Sequence, residues 1–271
     1  MDISSPTKTS AKPLSGSFKT YWYAGKAEIT SYKLEQVRYG EIRDGRAVLV
    51  YVTEDFLPVE QVKSDDPNKE NISVLKLNAT KKFNTGIYPY SIMQSSFYPV
   101  ANNQHALKVS ASIQEWCGQT YMQLNNRSDF EVRLHSYFQS EGDQNSHLEK
   151  TILENELWNQ LRIDPKSLPV GDLEIIPAFE YLRLKHKNLK AYAAEANLEQ
   201  GTYRIYYPDL KRELTIHFNP DFPFDILSWE ETYPDSGEIL STKATKLKIL
   251  KTDYWNKNSN AFERLRDSLQ I

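Results

Sequence analysis

The sequence predicts a mainly β protein: a large curved antiparallel sheet or open barrel, with one central helix and a short C-terminal helix. Three observations predict it. Runs with apolar and polar residues in alternation recur along most of the chain, roughly a dozen of them, joined by short turns. Only two stretches carry helical periodicity. Strands do not alternate with helices, which disfavours a doubly wound parallel sheet. At 271 residues the chain is long enough to bury a sizeable core without disulfides or metals.

The chain opens on MDISSPTKTSAKPLSGS. This stretch is rich in Ser, Thr, Pro and Lys, so residues 1–19 are expected to be a flexible tether. Residues 20–271 are then a single β-rich domain. In KAEITSYKLEQVRYGEIRDGRAVLVYVTEDF two β runs flank Asp44-Gly45, the pair that reads as a hairpin turn. Val48, Val50 and Val52 share one face of the second run, and Ala47, Leu49 and Tyr51 the other. Both faces are apolar, so this strand is expected to be covered on both sides. Ser64 to Asn71 is a loop. SVLKLNATKKF and NTGIYPYSIMQSSFYPV follow as strands, the second interrupted by Gly86 and Pro89. From His105 to Glu115, Leu107, Val109, Ala111 and Ile113 alternate with polar residues; Trp116-Cys117-Gly118 is a bend. The meander continues through Asp129 to Gln139, where Val132, Leu134 and Phe138 face one way.

SHLEKTILENELWNQLRIDP breaks the pattern. Leu148, Ile152, Leu153, Leu157 and Leu161 form a helical stripe, Ser146 with Glu149 offers a capping box, and Pro165 closes the helix. The connector DPKSLPVGD marks where two halves of the domain would meet, near residues 163–172. β patterning resumes in LEIIPAFEYLRLKHK and runs through EILSTKATKLKILKTDYW. NSNAFERLRDSLQI is the last helix, capped by Ser259, with Phe262, Leu265 and Leu269 on its apolar side.

Composition excludes several functions. The net charge is −3, where a general nucleic-acid binder would show a basic excess. A single cysteine permits no intramolecular disulfide. No segment approaches the roughly 18 apolar residues of a membrane span. There is no P-loop, no GxGxxG after a strand, no GxSxG and no HExxH, so no cofactor is expected.

The remaining chemistry is sparse. Cys117 as a thiol nucleophile needs a histidine base, and His105 and His135 are the nearest in sequence. The alternation around His135 puts it on a polar face, and no glycine-rich turn follows Cys117 to build an oxyanion hole. The reading this favours is a structural cysteine beside a packed Trp116. Glu131, His135, Glu141, Asp143 and His147 lack a metal-binding spacing and read as solvated. Glu230 and Glu231 are adjacent on a strand, point to opposite faces and cannot flank one bond. Lys243, Lys246, Lys248 and Lys251 read as the wet face of a strand or as guards against edge pairing. The aromatics are more pointed. Tyr21-Trp22-Tyr23, Tyr88-Pro89-Tyr90, Phe97-Tyr98 and the run from Tyr203 through Ile205 to Tyr207 pack a core on one reading. On a sharper reading, Trp22, Tyr88, Tyr90, Trp116 and the residues around Ile205 line a cavity for a lipid or other apolar small molecule.

YWYAGKAEITSYKLEQVRYGEIRDGRAVLVYVTEDF, FNTGIYPYSIMQSSFYP, SIQEWCGQTYMQLNNR and LKTDYWNKNSNAFERLRDSL together resemble an uncharacterised family of bacterial envelope proteins. Members are often predicted lipoproteins and frequently carry the label septum formation inhibitor Maf. The resemblance implies a periplasmic or outer-membrane-anchored location, with a membrane tether through a removed N-terminal segment, and no assigned chemistry. The alternative location is cytoplasmic. Maf nucleotide pyrophosphatases carry Ser-x-Ser-Pro-Arg-Arg after a first strand; the nearest stretch here, Ser4-Ser5-Pro6-Thr7-Lys8, lacks both arginines. Two functions are therefore weighed. The first is a non-enzymatic envelope β-sheet protein binding an apolar or amphipathic ligand or a protein partner. The alternative is a hydrolase, either a nucleotide pyrophosphatase or a thiol enzyme using Cys117 and His135.

Overall fold

The computed structural model describes residues 13–66, 70–101 and 104–271. Its β-patterned runs build one 16-stranded sheet. The strands are β1 (Ala27–Arg38), β2 (Glu41–Leu57), β3 (Val62–Lys63), β4 (Ile72–Thr85), β5 (Tyr88–Pro99), β6 (Lys108–Glu115), β7 (Gly118–Asn126), β8 (Phe130–Ser136) and β9 (Gln144–Leu148). They continue as β10 (Ile152–Leu153), β11 (Gly171–Ile176), β12 (Tyr192–Glu199), β13 (Thr202–Tyr207), β14 (Arg212–Phe218), β15 (Ile226–Asp235) and β16 (Glu238–Thr252). The helices are α1 (Gly16–Trp22), α2 (Glu154–Ile163), α3 (Phe179–Leu184) and α4 (Arg264–Leu269).

The sheet order is β10-β11-β12-β13-β14-β15-β16-β1-β2-β4-β5-β6-β7-β8-β9, with β3 paired to β2. Every pairing is antiparallel except the short parallel β10–β11 contact. The first and last strands meet in the middle of the sheet, from Ala27 opposite Thr252 to Glu35 opposite Lys243. The sheet is open, its edges β9 and β10 joined only by residues 149–151. Curvature gives it an inner face, and β10 leads directly into α2, which lies across that face against β4 and β5. The predicted fold class, a large open curved antiparallel sheet with a central and a short C-terminal helix, is the one observed.

Several elements differ from expectation. The first hairpin turns at Tyr39-Gly40, both at positive φ, and not at Asp44-Gly45, which lies inside β2. Gly45 is there because the sheet is tight: a Cβ would sit 2.5 Å from the Lys82 carbonyl oxygen and 2.9 Å from Phe83 Cβ. Ser146 and Leu148 pair with β8, so α2 starts at Glu154, and the role given to Glu149 belongs to Glu156, whose carboxylate accepts the Leu153 amide at 3.1 Å. Pro177 ends β11, and LEIIPAFEYLRLKHK then turns helical as α3, with Phe179 and Leu182 fully buried one helical turn apart. The segment assigned to the tether is helical from Gly16: Ser15 Oγ accepts the Phe18 amide at 3.1 Å, and Phe18 is buried. Residues 1–12, including Ser4 to Lys8, lie outside the described residues. β16, the lysine-rich strand, is paired on both sides and guards no edge. Lys246 bonds Asp225 at 2.5 Å and Lys251 lies over the Tyr21 ring, while Lys243 and Lys248 face water.

Candidate functional site

The inner face is filled. Phe18 and Trp22 of α1, Leu157 and Leu161 of α2, and Phe179 and Leu182 of α3 are all buried on it. Between them lie charged groups bound to each other. Arg162 makes a two-pronged contact with Glu28, at 2.6 and 2.7 Å, donates to the Pro223 carbonyl at 3.1 Å, and lies over the rings of Trp22 and Tyr51. Burial alone would push the Glu28 carboxyl up; the Arg162 guanidinium and the Tyr21 hydroxyl outweigh it and hold the group below the usual carboxylate range. Arg212 holds Glu154 at 2.5 and 2.7 Å and Glu231 at 2.6 Å, and the Tyr207 hydroxyl also donates to Glu154 at 2.7 Å. Glu180 accepts from Lys81 at 2.8 Å and Gln94 at 2.9 Å; burial raises its pKa despite the lysine.

The space left among α2, α3 and the sheet is about 60 Å³, beside Trp158, Trp229, Glu180 and Arg212. Small-molecule pockets run from about 300 to 1,000 Å³. The inner face therefore has no room here for an acyl chain. The expected aromatic cavity does not form around the named residues. Trp22 is 1% exposed and packed on Arg162 and Tyr51, and Ile205 is fully buried between Tyr203 and Tyr207 in chain order. Tyr90 is buried and stacks on Phe83 at 4.9 Å. Tyr88 and Trp116 are instead at hairpin tips, their rings 6.3 Å apart. Of the five, the structure brings together only Tyr88, Tyr90 and Trp116.

The larger space is on the outer face. Because both faces of β2 are apolar, Val48 and Val50 point outward with Ile29 and Leu250 beside them, and residues 254–271 fold back over this strip. Ser31 Oγ donates to the Leu269 carbonyl at 2.5 Å and Arg46 Nε to that of Gln270 at 3.0 Å, which pins α4. A groove of about 910 Å³ lies between sheet and α4. Its floor is apolar, its far wall carries Phe262, Leu265 and Leu269, and its border carries Arg46, Lys82, Lys257 and Arg266 against one acid, Asp44. Three of those wall residues are the apolar side read for the last helix, though Phe262 belongs to a short 3₁₀ turn ahead of α4 and Ser259 makes no side-chain cap there. The groove itself was not read from the sequence. Its one signal was the two-sided apolar pattern of Ala47 to Val52.

Cys117 is exposed, not packed under Trp116. It occupies the second position of a two-residue turn that ends at the Glu115–Gly118 pair, so neither Trp116 nor Cys117 has a neighbouring strand to lie against. Its amide donates to Glu115 at 2.7 Å, and the same carboxylate pushes the thiol pKa up. The histidines are engaged elsewhere: His105 with Glu156, His135 with Asp143, His147 with Asp129, His186 with Glu141 and His217 with Thr202. The reading of adjacent Glu230 and Glu231 as opposed holds in detail: Glu230 faces Lys243 outside, while Glu231 is buried on Arg212. Among the described residues no group of three or more His, Cys, Asp or Glu is placed to hold a metal ion, and no helix is long and apolar enough to cross a membrane.

No family model matches the chain, and no curated protein matches it. Among solved structures it is similar to the crystal structure of a beta-barrel-like protein of the domain of unknown function DUF1849 from Brucella abortus, at 9% identity and a TM-score of 0.49, over 83% of this chain and 97% of that one.

Proposed function

We propose that this β-sheet protein is a non-enzymatic binding protein of the cell envelope, and that it takes an amphipathic molecule with an anionic end in the groove beneath α4. The observation that carries the reading is the contrast of volumes: about 910 Å³ outside the sheet against about 60 Å³ within it. The groove's size falls in the range of small-molecule sites. Its apolar floor favours a hydrocarbon body at about 25 cal/mol per Å² removed from water. Its border keeps a positive excess that complements a carboxylate or phosphate head: Arg46, Lys82 and Arg266 stand against Asp44, while Lys257 pairs with Asp253 at 3.5 Å. The envelope location rests on the family resemblance. Against the thiol alternative stand the exposed turn position of Cys117, its raised pKa and the engagement of all five histidines with other groups.

The test is uptake of a fluorescent fatty acid by the purified chain, together with native mass spectrometry of protein taken from its own host. Saturable, stoichiometric uptake is expected. Val48→Arg, which puts a charge on the groove floor, should weaken it by about tenfold or more. Leu265→Arg on the opposite wall should do the same, and serves where Val48→Arg lowers the melting temperature. If the chain takes up no acyl probe, or both variants bind as the parent does, the groove is not the site.

A further inference from the structure

The hairpins of the meander turn at alternating ends of the sheet. At one end seven connections lie side by side, and five of them are consecutive along one stretch of the rim: β15–β16, β1–β2, β4–β5, β6–β7 and the loop from β8 to β9; the β13–β14 turn and the β11–β12 connection continue the row beyond β15–β16. The five touch in sequence around the rim. A Cβ on Gly40 would meet Ser236; the Tyr39 and Tyr90 hydroxyls are 2.8 Å apart; the Tyr88 and Trp116 rings are 6.3 Å apart; and Gly118 lies under the Tyr137 ring. Each of the five also lifts a large apolar side chain into water: Ile239, Tyr39, Ile87, Trp116 and Tyr137, from 49% exposed at Tyr39 to 83% at Ile87. Turn positions are ordinarily polar or glycine, so Tyr39, Ile87, Trp116 and Tyr137 on four adjacent tips, with Ile239 in β16 beside the fifth, are not accounted for by folding.

We propose that this rim docks on a lipid surface, with these side chains seated in the headgroup layer. Their chemistry fits: Trp and Tyr concentrate at membrane–water interfaces, where one end of the ring is apolar and the other wet. Their arrangement fits better than it fits a protein partner. Neighbouring hairpin tips stand two strand spacings apart, about 10 Å, so the side chains follow a line along the rim, whereas a protein interface concentrates its anchors in one packed centre. The charges leave the rim near neutral. Arg43 pairs with Glu41, Lys185 with Asp235 at 3.3 Å, and Arg183 and His186 with Glu141 at 3.1 and 2.9 Å. The other acids at this end, Glu115, Asp209 and Glu238, are matched in number by Lys187, Lys190 and Lys211, so the rim has no excess of either sign and suits a zwitterionic surface. Asn84 and Pro89, beside the β4–β5 tip, line the end of the groove. Docking would thus bring the groove's mouth to the lipid; that consequence rests on the function proposed above, while the docking itself does not.

The test is co-sedimentation of the full chain with phosphatidylcholine vesicles, with tryptophan emission as a second readout. Binding that survives high salt, with a blue shift lost in Trp116→Phe, is expected. Phosphatidylglycerol vesicles should bind about equally. The triple variant Ile87→Ser, Trp116→Ala, Tyr137→Ser changes only exposed side chains and should keep the parent's melting temperature while losing at least about tenfold in vesicle binding. Val48→Arg should sediment with vesicles as the parent does, so a failed groove and a failed rim are told apart. The proposal is overturned if the parent stays in the supernatant at every lipid concentration, or if the triple variant binds equally well. It is also overturned if the rim instead joins two copies in solution and the vesicles are ignored.

Discussion

Glu28 and Arg162 meet across 134 residues of sequence, and both are sealed from water. In KAEITSYK the glutamate sits at a strand position like any other, and nothing near it announces that its side will be the inner one. Arg162 lies in the last turn of α2, where a basic residue is ordinary for helix-dipole reasons. The pair was therefore illegible, because what makes it matter is burial by distant elements. Its energetics are lopsided. Replacing both partners with apolar residues of similar volume is often neutral, whereas removing one strands the other in a dry interior. Arg162→Met should cost about 3–5 kcal/mol in urea denaturation, and Glu28→Met with Arg162→Met should recover most of it. The pH dependence follows from the depressed Glu28 carboxyl. Its contribution is present above the ordinary carboxylate range and is lost as pH falls through the lower folded value. The parent should therefore lose stability on the acid side more steeply than the double variant. Parallel acid limbs would show that the pair contributes no linked protonation.

Elements were legible where periodicity was long and undisturbed, and blurred where packing decided. Val109, Ala111 and Ile113 alternate inward as their pattern says, and Trp116-Cys117 turns where it should. The first hairpin shows the opposite. Asp-Gly is a stronger turn signal than Tyr-Gly, yet the chain turns at Tyr39-Gly40, and β1 then pairs with β2 without a break from Arg38 opposite Glu41 to Glu28 opposite Tyr51. Gly45 then serves as a gap for the neighbouring strand. Gly45→Ala should destabilise by about 1–3 kcal/mol through overpacking, since the new methyl meets the Lys82 carbonyl oxygen at 2.5 Å. Gly86→Ala is the control for conformation alone. Its φ is +59° and its surroundings are open, so about 1 kcal/mol of backbone strain is the whole expected effect. Thermal unfolding of the two variants separates the causes. A neutral Gly45→Ala would mean that β2 and β4 can part at no cost.

At the scale of the molecule, strand count and the absence of βα alternation are sums of local patterns, so the open curved sheet was legible. The closing of β16 on β1 was not, since pairing between strands that far apart leaves no trace in periodicity. Nor was the outer groove, which exists because a C-terminal segment covers a strip that one apolar face of β2 merely permitted. That closure predicts a gradient of stability. β1 has a full-length neighbour on each side and is buried along most of its length, from Ala27 through Tyr32. β9 has one partner, five residues and no buried side chain; β10 has two residues. Opening β9 releases few apolar contacts, while opening β1 divides the sheet in two. Amide exchange followed by mass spectrometry should therefore label peptides over residues 144–148 early and those over 27–34 last, at a free energy close to that of global unfolding. Groove variants on β2 would then act on the most protected part of the sheet, and their ligand effects could be separated from local unfolding. Equal protection at the centre and the edge would mean instead that α2, seated across the inner face, ties the two wings into one cooperative unit.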